Sequence, residues 1–362
     1  QLIEIAKALA ADARLVVMDE PTSSLADDDV DRLLATVRQL RDSGVAVVYV
    51  SHRMREIFAV CDRVTVLRDG RHSGLFTTRA TTPDELVGRM VGREITRLFG
   101  ERKRRGGVAS GGPGARPAAP ALEVRGLRSG QRVRDVSFAV DAGEIVALAG
   151  LVGSGRTESA SAVFGARPMH GGSVLLRGKP VRFHHPGQAI RAGIGYLSED
   201  RKASGLFLEL SVHGNIGVTV PREVAPRGWF LRGVQRRLAE RMRAALGIRC
   251  RDVNSAVAGL SGGNQQKVAL AKWLAAGPSV LILDEPTRGV DIGAKAEIYR
   301  IIRRLAAGGI AVLLISSELP EVLGMADRIV VLHEGRTVGE LDAAGATEHD
   351  VVALATGVAA AG

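Results

Sequence analysis

One module occurs twice in this 362-residue chain, its copies 265 positions apart. Met18-Asp19-Glu20-Pro21-Thr22 returns as Leu283-Asp284-Glu285-Pro286-Thr287, and Ser51-His52 returns as Ser316-Ser317. The register holds without a gap through Gly44 and Gly309, Asp62-Arg63 and Asp327-Arg328, Gly70-Arg71 and Gly335-Arg336, and Gly74 and Gly339. This is the pattern of a tandem duplication, so a fold that serves one copy must serve the other. Carried backwards, the offset pairs Gln1 with Gln266. The first copy is therefore expected to open in mid-module, without roughly 145 residues that positions 122 to 265 supply to the second. The missing initiator Met agrees with a fragment.

Composition narrows the classes. With 46% hydrophobic and 24% charged residues the chain is globular and long enough for more than one cored domain. Cys61 and Cys250 stand far apart in no metal-ligand spacing, which favours a reducing compartment over a disulfide framework. No apolar run reaches the roughly 18 to 20 residues of a membrane span. The net charge of +10 comes from dispersed Arg, and its one dense run is Arg102-Lys103-Arg104-Arg105. A solvated or membrane-surface role fits that distribution better than nucleic-acid binding, so no nucleic-acid partner is expected.

The stretch from about Gly100 to Pro120 has no hydrophobic period and is rich in Gly, Pro and Ala, which marks a linker. It separates residues 1–99 from residues 122–357, and 358–362 form a short tail. Beyond the linker, β-rich runs at Glu144–Ala149, Val280–Leu283, Ala311–Ile315 and Arg328–Leu332 alternate with helical patterns such as Ala294–Leu305. That alternation predicts an α/β fold with a mainly parallel sheet covered on both faces. Between about 205 and 265 the character turns helical, with a basic amphipathic pattern at Val234–Leu246.

A phosphate site follows the first of these strands. Gly150-Leu151-Val152-Gly153-Ser154-Gly155-Arg156-Thr157 matches the P-loop pattern G-x4-G-K-[ST], except that Arg156 stands for the Lys. Gly150, Gly153 and Gly155 let the backbone curl so that successive N–H groups and a helix N-terminus face phosphates, while Ser154 sits among them and Thr157 offers its hydroxyl to Mg2+. The apolar run Val280–Asp284 then ends in a carboxylate placed to hold the metal, and Glu285 follows to polarise water.

Leu260-Ser261-Gly262-Gly263-Asn264-Gln265-Gln266, ahead of Leu281-Ile282-Leu283-Asp284-Glu285-Pro286-Thr287, resembles the signature motif and Walker B of ABC ATPases. Gly289-Val290-Asp291 occupies the D-loop position. The resemblance covers nearly the whole chain and is strongest to the double-length ATP-binding subunits of bacterial monosaccharide importers of the ribose, xylose and galactose type. Gly193-Ile194-Gly195-Tyr196-Leu197-Ser198-Glu199-Asp200-Arg201-Lys202 looks like the segment such second cassettes carry in place of a Q-loop. The resemblance implies a P-loop NTPase cassette with a RecA-like α/β core and a helical subdomain, plus a partial second copy. It implies ATP and Mg2+ as ligands, membrane permease subunits and an extracytoplasmic sugar-binding protein as partners, and a peripheral place on the cytoplasmic face of the membrane. It also implies composite sites, in which Ser261, Gly262 and Gly263 of one cassette complete the ATP site of the other.

The two copies are expected to work unequally. The first keeps Asp19 for the metal, Glu20 as catalytic acid, Asp27 in its D-loop and His52 at the switch position that contacts the γ-phosphate. The second pairs Asp284 and a degenerate Glu285 with Arg156 for Lys, Glu199 for Gln and Ser317 for His, and has no aromatic residue between Leu122 and Val136 to stack on adenine. Glu199 is expected to bring negative charge near the phosphates, and Ser317 to be too short for the histidine's role. The second site should thus bind or hydrolyse nucleotide weakly, and the fragment alone should lack appreciable ATPase activity. Leu206–Phe230 is expected to include the permease-docking surface. Nucleoside, inositol or a signalling furanone (autoinducer) as cargo, or a twin-cassette ATPase acting on ribosome or DNA, are the alternatives.

Overall fold

The computed structural model describes residues 13–19, 21–22, 27–51, 54–68, 71–83, 85–86, 89, 119–226, 229 and 231–357. Glu20, His52, nearly all of the expected linker and the 358–362 tail lie outside the described residues, as does the side chain of Asp27. The chain divides into two compact units, residues 1–98 in the first and the bulk of 99–362 in the second.

In the first unit β1 (Leu15–Asp19) pairs in parallel with β2 (Ala46–Val50), and α1 (Asp27–Asp42) makes the crossover. Val30, Leu33, Leu34, Val37 and Leu40 recur at the helical period and pack as one stripe with Val16 and Met18 of β1. Then come α2 (Met54–Val60) and the hairpin of β3 (Arg63–Arg68) and β4 (Arg71–Thr77).

The second unit is built on one ten-stranded sheet. Its strands are β5 (Leu122–Ser129), β6 (Val133–Val140), β7 (Ile145–Gly150), β8 (Gly171–Leu176), β9 (Lys179–Val181), β10 (Ile194–Leu197), β11 (Val280–Asp284), β12 (Ala311–Ile315), β13 (Arg328–His333) and β14 (Arg336–Asp342). They lie in the order β10-β11-β12-β7-β13-β14-β6-β5-β8-β9. The expected parallel pairing holds from β10 to β13. The other limb departs from it: β13 with β14, β6 with β5, β5 with β8 and β8 with β9 are antiparallel. Short turns between β5 and β6, β8 and β9, and β13 and β14 leave no room for a crossover helix, so those three pairs must reverse.

Alternation along the central strands assigns their two faces. Val146, Leu148, Ile282, Leu313, Val330 and Leu332 pack with Ala160 and Val163 of α3 (Arg156–Val163). Ile145, Ala147, Leu281, Leu283, Val312 and Leu314 pack on the opposite side, where α8 (Gly262–Ala275), α9 (Ile292–Ala307), α10 (Leu319–Met325) and α11 (Glu348–Thr356) contribute to the core. Burial of both faces explains why these strands are continuous apolar runs. Before β10 lies α4 (Pro186–Ala192), and after it come α5 (Val212–Gly217), α6 (Pro221–Val224) and α7 (Arg232–Leu246), the helical segment expected from the sequence. Ser211 caps α5 by accepting from the Gly214 N–H at 3.1 Å, and α7 stops at Gly247, whose φ of +60° is the left-handed cap.

The duplication extends to strand register. Leu15 opposite Ala46 through Asp19 opposite Val50 recurs 265 positions later as Val280 opposite Ala311 through Asp284 opposite Ile315. The repeated element is thus a strand, a helix and a parallel strand, with an acid at the same strand end. In the second unit Val280, Ile282, Leu313 and Ile315 are buried, whereas their counterparts Leu15, Val17, Val48 and Val50 are 46–64% exposed.

Candidate active site

Strand β7 runs into a loop that glycine alone can build. Gly150, Gly153 and Gly155 have φ of +144°, +83° and +98°. A Cβ on Gly150 would stand 2.3 Å from the Leu332 carbonyl oxygen, and one on Gly155 would stand 2.7 Å from that of Arg132. Gly155 is also the N-cap of α3, and no side chain caps that helix start. Uncapped amides at a helix N-terminus bind anions. Ser154 Oγ is buried and has no hydrogen-bond partner among the described residues, an orphan that a ligand oxygen would satisfy.

One turn further, Thr157 Oγ1 donates to Asp284 Oδ1 at 3.2 Å. The other carboxylate oxygen accepts from the Tyr196 hydroxyl at 2.9 Å. Asp284 is fully buried, and loss of solvent raises its pKa while Tyr196, Thr157 and the Arg156 charge pull it back. Burial also raises the Tyr196 phenol, so it stays a donor. Mg2+ takes hard oxygen ligands, only one or two of them from protein, and the Thr157 hydroxyl beside a buried carboxylate is a donor set of that kind.

Arg156 does not reach into the loop. Its Nη1 donates to the Ser316 carbonyl at 2.7 Å, and burial lowers its pKa against the pull of Glu285, Asp284 and Glu158. It ties the start of α3 to the end of β12. Glu285 has φ of +49°, a strained value for a residue with a side chain. Its N–H donates to the Ile315 carbonyl at 2.8 Å, and its Oε2 accepts from Ser317 Oγ at 3.2 Å. Burial raises the Glu285 pKa, the direction a general base needs.

Glu199 corrects an expectation. Its carboxylate forms an ion pair with Arg288, so its charge is compensated there, at a largely exposed position. The same segment is tied on again by Arg201, whose guanidinium donates to the Arg288 and Gly289 carbonyls at 2.7 and 3.0 Å. Lys272 of α8, buried against the Trp273 ring, donates to the Gly205 carbonyl at the end of the π-turn Arg201–Gly205. The stretch 199–205 therefore links the residues after β11 to α8.

Ser261 is the N-cap of α8, but its Oγ accepts from Asn264 at 2.9 Å instead of capping the helix. Gly262 and Gly263 are places where a Cβ would meet Gly289 O at 3.0 Å and the Ala294 side chain at 2.5 Å. The hydrogen bonds of Ser261 do not run to the loop 150–157, so the structure brings together Arg156, Thr157, Asp284 and Glu285 but not the signature triplet. Asp291 immediately precedes α9. In the first unit Asp19 closes β1 in the register of Asp284.

Residues 133–288 match the ABC transporter family. Across the whole chain there is 50% identity to "Ribose import ATP-binding protein RbsA 1" of Streptomyces coelicolor, of which the chain spans 69%. A second relative, "Ribose import ATP-binding protein RbsA 2" of Rhizobium etli, is 46% identical over the whole chain and 70% of its own length. This chain belongs to the ABC transporter ATP-binding family. Solved ABC cassettes have the same fold: a nucleotide-free cassette aligns with TM-score 0.54 at 22% identity, covering 66% of this chain and 95% of its own. A dimeric cassette in a post-hydrolysis state with ADP and Pi aligns with TM-score 0.54 at 20% identity, covering 62% of this chain and all of its own.

Against this ABC cassette framework two residues stand out that sequence reasoning passed over. Tyr196 lies inside the quoted 193–202 segment, yet its bond to Asp284 depends on β10 pairing with β11, where Tyr196 lies opposite Ile282. Glu321 carries no motif at all. Its signal was the 265-position offset, which pairs it with Glu56.

Proposed function

We propose that this chain is the ATP-hydrolysing subunit that powers import of a simple sugar, with ribose as the cargo. Residues 1–99 and 122–357 belong in this reading to two ABC cassettes joined by the linker 100–121, with a helical subdomain at about 205–265. The observation that carries the catalytic half is the line of contacts Tyr196–Asp284–Thr157 beside the glycine loop with its orphan Ser154 hydroxyl. The cargo half rests on the ribose importers to which the chain is similar.

The chemistry follows from the side chains. The Gly150–Gly155 amides and the α3 N-terminus hold the phosphates of ATP by hydrogen bonds that strengthen as negative charge accumulates. Thr157 and Asp284, directly or through water, would hold Mg2+, which when bound would supply neutralising charge to the phosphates. Glu285 takes the proton of the attacking water in the second cassette and Glu20 does so in the first, where His52 orients that water. Asp19 is the first cassette's metal-holding acid. Ser261, Gly262 and Gly263 contact nucleotide held by a facing cassette, and Asp27 and Asp291 act in the D-loops. With Ser317 in place of a histidine, the second site hydrolyses more slowly.

The transport partners are a membrane permease and an extracytoplasmic sugar-binding protein, with this subunit peripheral on the cytoplasmic face of the membrane. Among the described residues no helix is long and apolar enough to cross a membrane. Phe207, Leu210, Trp229 and Leu231 are exposed on the helical segment and supply the apolar contact for the permease. Uptake of labelled ribose into vesicles bearing the permease, charged with ATP, tests the whole reading. Uptake that depends on ATP and disappears with Asp19→Asn supports it; ATP hydrolysis stimulated by a nucleoside or inositol but not by ribose would reassign the cargo.

A further inference from the structure

A buried carboxylate occupies the same place in both repeats. Glu56 in α2 and Glu321 in α10 are each 1% exposed. Glu56 Oε1 accepts from Thr22 Oγ1 at 2.6 Å, and its Oε2 accepts from the Tyr49 hydroxyl and from Ser51 Oγ at 2.9 Å each. Glu321 Oε2 accepts from Ser316 Oγ at 2.6 Å and from Thr287 Oγ1 at 3.2 Å. Ser316 Oγ in turn accepts the Glu318 N–H at 3.0 Å. Thr22 and Thr287, and Ser51 and Ser316, are repeat equivalents. A carboxylate this deep is rare unless it is partnered, and each of these two accepts from a Thr and a Ser hydroxyl.

What these hydroxyls flank gives the pair its meaning. Thr287 is the second residue after Glu285, and Ser316 stands between the end of β12 and Ser317. Glu321 thus fastens the ends of two adjacent parallel strands where each turns out into the site, at the level where Glu285 and Ser317 meet. In the first unit Thr22 and Ser51 flank Glu20 and His52 in the same order. The third hydroxyl differs between the copies. Tyr49 of β2 is replaced by the buried Leu314, while Tyr299 of α9, at the position of Leu34, sets its hydroxyl beside Thr287. Both copies thus keep a Thr and a Ser on the carboxyl, with a Tyr hydroxyl that meets the carboxyl itself in the first copy and its Thr partner in the second. Burial pushes Glu321 up to about 7; Glu318, Glu285 and Tyr299 face it, and Lys295 supplies the nearby positive charge.

We infer that Glu56 and Glu321 are positioning residues for ATP hydrolysis. Each holds, through one Thr and one Ser hydroxyl, the chain that follows the strand-end Asp against the chain that follows the neighbouring parallel strand. The inference deepens the proposed function and rests on its assignment of Glu20 and His52. In the assembled transporter, Glu56→Ala should lower kcat about 100-fold and leave the KM for ATP within about twofold, because a small misplacement of reacting groups acts on the chemical step. Glu56→Gln, which keeps one acceptor oxygen and its shape, should fall between Ala and wild type. Full turnover in Glu56→Ala, or a kcat loss matched by an equal rise in KM, overturns the inference. A readout independent of turnover is amide exchange at Glu318, which should quicken at least about tenfold in Glu321→Ala, where Ser316 Oγ loses the oxygen that holds it. If Glu20→Gln also leaves turnover intact, the catalytic assignment has failed. The exchange result then decides the clamp alone, acceleration supporting it and an unchanged Glu318 rate refuting it.

Discussion

Replacing Tyr196 with Phe removes one oxygen from the buried acid site and little else. The ring keeps its contact with Phe164, 5.2 Å away between centroids, and Phe164 keeps its edge contact with Trp273. What is lost is the 2.9 Å hydrogen bond to Asp284 Oδ2 and a longer one with Ser161. A hydrogen bond to a charged group contributes about 1.5–3 kcal/mol. Asp284 is fully buried, so no water replaces the lost donor, and its already raised pKa moves further up. Holding Mg2+ needs the ionised carboxylate, so the whole penalty falls on binding of the metal–nucleotide complex. At 1.4 kcal/mol per tenfold, affinity for MgATP should fall about 10- to 100-fold. Calorimetric titration with ATP in the presence of Mg2+ and in EDTA separates the effects. The variant should lose affinity in Mg2+ and keep it in EDTA, with a larger deficit at lower pH. An equal loss in both buffers, or none, would show that Asp284 does not hold the metal.

Gly155→Ala should abolish nucleotide binding and lower the melting temperature. The left-handed backbone at φ +98° costs an L-residue about 1–2 kcal/mol, and its Cβ would press on the Arg132 carbonyl at 2.7 Å. Titration with a fluorescent ATP analogue beside a thermal melt checks both. Glu321 gives a pH signature in stability. Its native pKa near 7 lies above the ordinary 4.5, so the native state holds the extra proton, and stability falls as pH rises through that window. Glu321→Gln should flatten that slope in denaturant titrations of the second unit's unfolding; an unaltered slope would contradict it. Lys272 runs the other way. Burial lowers it to about 8, so the unfolded chain holds more protons between 8 and 10.5 and stability rises with pH there. Lys272→Met should erase that rise, read in the same titrations.

Much of this was legible because the central strands obey simple rules. A strand buried on both faces has to be continuously apolar, and Val280–Asp284 and Ala311–Ile315 are located almost to the residue by that property. The helix Ile292–Ala307 announced itself by its period. The antiparallel limb did not. Val133–Val140 carries Arg134 and Asp135 exposed side by side, and β5 pairs with β6 through register shifts, so neither alternation nor a hairpin signal is clean. The glycine loop was legible because positive φ needs Gly, but the direction of Arg156 was not: a P-loop cation is expected to face phosphate, and this one turns to the Ser316 carbonyl. Glu199 was misjudged for want of its partner, since Arg288 lies 89 positions away in sequence. Glu321 was invisible for a different reason. A Glu in the first turn of a surface-sized helix is ordinarily solvated, and only the fold buries this one under two strand ends.

The proposed function divides the labour unequally between the acids that follow the two strand-end aspartates, Glu20 in the first repeat and Glu285 in the second. Its most direct test is ATP-driven sugar uptake by the assembled transporter carrying Glu20→Gln or Glu285→Gln, each matched to wild type for nucleotide binding. The account requires Glu20→Gln to abolish uptake and Glu285→Gln to leave most of it. Equal loss from the two substitutions would contradict it.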